Sequence, residues 1–88
     1  MSGNERLILS GNENIVAYVL LNVALGKEAT LREEISKLNY VTEAKIVYGE
    51  YDIVVRIEAP TLTILDKLVS TIRRMSGVLK TVTLISTS

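Results

Sequence analysis

The chain has 88 residues, 48% of them hydrophobic, and ten Lys and Arg against ten Asp and Glu give a formal charge of zero. That length holds one domain with one core, and the absence of both Cys and His removes disulfide staples and the usual zinc sites, so neither a metal nor a cofactor is expected. The only adjacent basic pair is Arg73-Arg74 and the longest apolar run, residues 15–21, is far below the roughly 20 residues that cross a bilayer; direct nucleic-acid binding and membrane insertion are both unexpected.

Residues 1–14 are polar, broken by Gly3 and Gly11, and lack the basic start and apolar stretch of a targeting signal. They read as an N-terminal extension of a soluble cytoplasmic protein, ahead of one domain over residues 15–86. Residues 15–23, I-V-A-Y-V-L-L-N-V, are rich in β-branched and large side chains and bounded by Asn12-Glu13-Asn14 and Gly26, which predicts a strand. Both of its faces are apolar: Ile15, Ala17, Val19, Leu21 and Val23 on one, Val16, Tyr18 and Leu20 on the other.

The period then changes. Leu31, Ile35 and Leu38 recur at helical spacing among Arg32, Glu33, Glu34 and Lys37, with Thr30 and Glu33 spaced as a capping box and Asn39 as a stop. Two extended runs, 41–48 and 51–57, are separated by Gly49-Glu50, which predicts a tight hairpin with Gly at a position of positive φ. Pro60 announces a second helix, with Thr61 or Thr63 as N-cap, a Thr63/Asp66 box, and a stripe of Leu65, Leu68, Val69, Ile72 and Met75 ending at Gly77. Residues 81–85 form the last strand. The order β-α-β-β-α-β defines an α+β, ferredoxin-like fold: a four-stranded antiparallel sheet carrying both helices on one face.

With the helices on one face, a monomer would show polar residues on the other. Here Val16, Tyr18 and Leu20, joined by Val54, Val82 or Leu84, make a second apolar surface, which predicts packing against another copy as a dimeric α/β sandwich. The competing cover is Leu7-Ile8-Leu9 folding back, a segment short for the task.

The segment Gly49-Glu50-Tyr51-Asp52-Ile53-Val54-Val55-Arg56, the later Gly77-Val78-Leu79-Lys80-Thr81-Val82-Thr83, and the preceding Val41, Ala44 and Val47 together resemble the effector-binding domain of the Lrp/AsnC (feast/famine) regulators. The resemblance implies sheet-to-sheet dimers assembling to octamers and a free amino acid bound between subunits near the hairpin loop. Full-length members carry a helix-turn-helix domain, for which fourteen residues are too few. The expectation is therefore a stand-alone sensing module that acts on transcription through full-length Lrp/AsnC homologues.

An α-amino acid needs an anionic acceptor for its ammonium and N–H or O–H donors for its carboxylate. Asp52, with Glu50, can serve as the acceptor, while the backbone at Gly49 and the hydroxyls of Thr81 and Thr83 can serve as donors. Tyr51 is either pocket lining or core, and Leu84 comes near the ligand only by the resemblance. Against these stand plainer roles: Gly49 for the turn, Asp52 as a hairpin cap or cross-strand ion pair, Thr81 and Thr83 as ordinary strand residues.

No catalytic role is expected. General acid-base work would fall to carboxylates, Lys or Tyr, and Glu33-Glu34 lies on a solvated helix face. RNA binding through stacked bases is disfavoured by the absence of Phe and Trp. Two alternatives stay open: an ACT-type amino-acid-binding domain, whose first-turn glycine would be Gly26, and a ligand-free assembly partner.

Overall fold

The structure is a computed structural model, and residues 13–87 are described. The elements follow the expected order: β1 (Ile15–Val23), α1 (Glu28–Ser36), β2 (Val41–Ile46), β3 (Ile53–Ala59), α2 (Leu62–Arg73) and β4 (Val78–Ile85). The strands form one antiparallel sheet in the order β2-β3-β1-β4, which places the two most apolar strands at its centre.

Alternation along those central strands decides the layering. Ala17, Val19, Leu21 and Val23 of β1 and Ile53, Val55, Ile57 and Ala59 of β3 are buried, and the two sets face each other in register across the strand pair. Leu31 and Ile35 of α1 and Leu65, Val69 and Ile72 of α2 complete a single core on that face, with Ala44 of the edge strand β2. No polar or charged side chain is buried among the described residues.

The helix ends differ from expectation in informative ways. α2 begins as one of the two readings anticipated: Thr61 is extended and its Oγ1 accepts the Ile64 N–H at 3.1 Å, so Thr61 is the cap and Thr63 lies inside the helix, which removes the Thr63/Asp66 box. α1 begins earlier than the Thr30/Glu33 box implied. Its N-cap is Lys27, without a side-chain cap, and Thr30 sits in the first turn. The Leu31 N–H reaches back to the Lys27 carbonyl at 3.0 Å because Gly26 has already turned the chain with φ of 87°.

At the other end of α1 the positive-φ residue is Tyr40 (φ 74°) rather than Asn39, and the Tyr40 carbonyl accepts the Glu58 N–H at 2.9 Å, anchoring the entry to β2 on β3. A bulge follows between Val41 and Glu43. The final strand starts at Val78, three residues before the expected position, because the Gly77 carbonyl already accepts the Ala24 N–H at 2.8 Å.

The hairpin is not tight. Strand pairing stops at Ile46↔Ile53, leaving a six-residue loop over 47–52 in place of a two-residue turn. Asp52 is responsible: its N–H donates to the Leu21 carbonyl at 2.8 Å and its carbonyl accepts the Val47 N–H at 2.9 Å. The loop is thereby closed at its base and also tied sideways to β1. Leu7-Ile8-Leu9 lies outside the described residues.

Candidate functional site

The uncovered sheet face carries Val16, Tyr18 and Leu20 on β1, Val54 on β3, and Val82 and Leu84 on β4, as the sequence predicted. Register makes them contiguous, since Leu20 lies between Val54 and Val82, and Tyr18 lies beside Leu84. Tyr18 is 38% exposed and Leu84 52% exposed. Leu84 is thus a member of the open face and is separated by the sheet itself from the helix side.

The β2-β3 half of the same face is polar. Arg56 donates to Thr42 Oγ1 at 2.9 Å and lies 3.6 Å from Glu58, while Lys45 pairs with Glu43 at 3.2 Å. Hydrogen bonding to Tyr18, followed by attraction to Glu58, holds the Arg56 guanidinium above its usual range against some desolvation, so its charge is permanent.

At the hairpin end a hollow of about 630 Å³ is lined by Glu28, Ile46, Val47, Tyr48, Gly49 and Asp52. Two of the expected site residues therefore meet there. Gly49 has φ of 146°, in the range that favours glycine, and a Cβ at that position would meet nothing within 4 Å. The turn explains this glycine, and its lack of a side chain also leaves the hollow open.

Asp52 is only half available. One carboxylate oxygen accepts the Val23 N–H at 2.9 Å, a structural task distinct from both the hairpin cap and the ion pair anticipated for it. Asn22 reinforces the same tie by donating to the Glu50 carbonyl at 3.0 Å, so Glu50 contributes its backbone while its side chain stays exposed. Tyr51 is half-buried beside it. Neither residue lines the hollow.

Glu28 is the carboxylate that sequence reasoning missed. It stands in the first turn of α1, where the helix N-terminus favours negative charge, and its side chain makes no hydrogen bond or ion pair with another described residue. The signal was the acid two residues after Gly26, but only the fold brings that turn against residues 46–52.

Thr81 and Thr83 fall elsewhere. Thr81 is paired with Leu21 from the β4 side, whereas Asp52 holds Leu21 from the β3 side. β1 thus separates them by two strand spacings, about 10 Å. Thr83, one pleat further along, faces a groove between α2 and β4 together with Leu65, Val69 and Ile85. The expected ligand shell is not assembled in one protomer. It forms two half-shells on either flank of β1.

The β-α-β-β-α-β order, with both helices on one face of a four-stranded antiparallel sheet, an exposed apolar strip on the other and a hollow at the hairpin, defines an α+β protein of the ferredoxin-like class. Sequence comparison gives the particular family: residues 16–88 match the Lrp/AsnC ligand binding domain, and the chain belongs to that family. Among solved structures it is similar to FFRP-DM1, with 38% identity and a TM-score of 0.79 over 82% of this chain and 97% of that one. It is also similar to the hypothetical protein PHS023 from Pyrococcus horikoshii, at 38% identity and a TM-score of 0.78, covering 82% of this chain and 88% of that one. TTHA0845 from Thermus thermophilus matches at 32% identity with a TM-score of 0.80, covering 84% of this chain and 94% of that one. AsnC from E. coli shares the fold at 19% identity and a TM-score of 0.78, the match covering 92% of this chain and 55% of AsnC. The comparison with curated proteins returned no match. Among the described residues, no helix is long and apolar enough to cross a membrane.

Proposed function

We propose that the chain is an amino-acid-sensing module that works as an oligomer and influences transcription by associating with full-length Lrp/AsnC regulators. The observation that carries this reading is the apolar open face, Val16, Tyr18, Leu20, Val54, Val82 and Leu84, which favours burial at roughly 25 cal/mol per Å². A second copy seated there forms the dimer. Dimers then meet at the hairpin ends, where the fully exposed Tyr48 and Leu25 favour further assembly toward an octamer.

Such assembly supplies what one protomer lacks. The half-shell at Gly49, Asp52 and Glu28 offers carboxylates to an ammonium group, and the hydroxyls of Thr81 and Thr83 from a neighbouring copy offer donors to a carboxylate. Binding between copies makes assembly depend on amino-acid concentration, which is what a sensor requires. Family membership and the lack of His and Cys support a binding role over catalysis.

The test is a thermal-shift screen of the twenty amino acids joined to sedimentation velocity. A true ligand at 100 times Kd stabilises the protein by about 2.7 kcal/mol and changes the distribution of oligomers. A dimer indifferent to all twenty selects the ligand-free assembly partner, a reading favoured by the prior engagement of Asp52 with Val23. A monomer at micromolar concentration sinks both.

A further inference from the structure

The end of the sheet that carries the hairpin is divided by charge. On one flank of β1 stand Glu50 and Asp52 of the loop and Glu28 of the first α1 turn. On the other stand Lys80 of β4, Arg74 at the C-cap of α2, and Lys27, whose Cγ lies 3.2 Å from the place a Cβ at Gly77 would take. Asn22 marks the boundary: it is paired with Lys80 on one side and donates to the Glu50 carbonyl at 3.0 Å on the other. Acids and bases are thus held about two strand spacings apart, roughly 10 Å, which is beyond ion-pair reach. The side chains of Glu28, Glu50, Lys27, Arg74 and Lys80 accordingly make no hydrogen bond or ion pair with another described residue.

Each flank also carries a large apolar side chain that its own protomer leaves uncovered, Tyr48 on the acidic side and Leu79, 70% exposed, on the basic side. With a formal charge of zero, the chain does not repel its own copies, so the distribution of charge decides how two copies meet. Hairpin against hairpin sets carboxylates against carboxylates. Hairpin against the β4 flank sets them against Lys27, Arg74 and Lys80 and covers Tyr48 and Leu79 in the same contact.

We propose that dimers of this chain join head to tail, the acidic flank of one copy docking on the basic flank of a second copy in the next dimer. This rests on the reading of the chain as an assembly of dimers and names the surface that links them. A head-to-tail contact leaves one flank unused at each end, so it repeats until a ring closes. It also carries Thr81 and Thr83 of one copy toward Gly49 and Asp52 of the next, the only one of the two orientations that joins the separated half-shells.

Sedimentation velocity on the full chain, with circular dichroism to confirm folding, tests this. Species larger than the dimer are expected at about 0.05 M NaCl and should dissociate to dimers by about 0.5 M, where the screening length falls to about 4 Å. Glu50→Lys and Lys80→Glu should each weaken assembly beyond the dimer about three- to tenfold per contact. An equimolar mixture of the two variants should restore it, because the reversed flank of one then meets the reversed flank of the other. Stronger assembly in Glu50→Lys would mean that hairpin meets hairpin and would overturn the proposal, as would single variants that assemble like wild type or a mixture that stays dimeric. A wild-type dimer that grows no further at any salt overturns it while leaving the open-face dimer standing, and a monomer overturns both.

Discussion

Leu20→Asp is the sharpest test of the open face. Leu20 sits on the central strand with Val54 on one side and Val82 on the other, in the middle of the apolar strip and away from the helices. In a two-fold dimer each substitution acts twice. Burying a leucine side chain contributes about 1.5–3 kcal/mol, so the loss is about 3–6 kcal/mol per dimer, or a weakening of roughly 10² to 10⁴ in Kd. Desolvating two carboxylates adds to it. The monomer should lose much less, because in it the position is only partly buried on the uncovered face. Sedimentation equilibrium measures the first quantity and far-ultraviolet circular dichroism checks the second, with Glu34→Lys on the exposed side of α1 as control. A Leu20→Asp protein that still dimerises with wild-type affinity refutes the reasoning, as does one that unfolds while Glu34→Lys does not.

The remaining predictions concern the frame around the hollow. Asp52→Ala should cost about 1–3 kcal/mol in urea denaturation by orphaning the Val23 N–H, whereas Asp52→Asn keeps an acceptor and should fold normally while losing the charge needed for an ammonium ligand. Gly77→Ala should destabilise more than Gly49→Ala: both glycines have positive φ, but a Cβ at Gly77 would come within 3.2 Å of Lys27 Cγ and 3.3 Å of Leu31 Cδ1, while at Gly49 the space is open. Equal melting temperatures for those two variants would contradict the steric argument. Thr61→Ala should lower stability by about 1 kcal/mol through loss of the α2 cap, and Thr63→Ala should not, which calorimetry can decide.

The element order and the two-faced central strand are legible because they depend on period. Ala17, Val19 and Leu21 alternate with Val16, Tyr18 and Leu20 whatever the rest of the chain does, and the α2 stripe from Leu65 to Ile72 announces its own buried side. The ends are less legible. Thr30 and Glu33 have the spacing of a cap, yet the chain turns at Gly26 and enters the helix at Glu28, so tertiary position overrides a local signal. The hairpin misleads for the same reason. Gly49-Glu50 suits a two-residue turn, and what opens it is the pull of Asp52 toward Leu21 and Val23, residues some thirty positions away.

The candidate site is legible only in fragments. Gly49 and Asp52 do share a hollow, but their companion Glu28 comes from a different element, and its place two residues after Gly26 does not reveal that it meets residues 46–52. Thr83 is expected beside Asp52 because its hydroxyl can donate to the carboxylate of a ligand whose ammonium Asp52 accepts. Register places it opposite Val19, on the far flank of β1. No pattern of spacing along the chain reveals which flank of a middle strand a residue will occupy, since that depends on strand order.

The tether between the hairpin loop and the end of β1 has a mechanical consequence. Three hydrogen bonds, from Asp52 N–H to Leu21, from Val23 N–H to Asp52, and from Asn22 to Glu50, bind the loop to the last residues of that strand. The loop therefore cannot swing as a loose flap, because any displacement of it tugs a rigid rod running through the middle of the sheet. That rod has Tyr18 and Leu20 on its outward side, so a push delivered at its tip is felt at the surface where another molecule would rest.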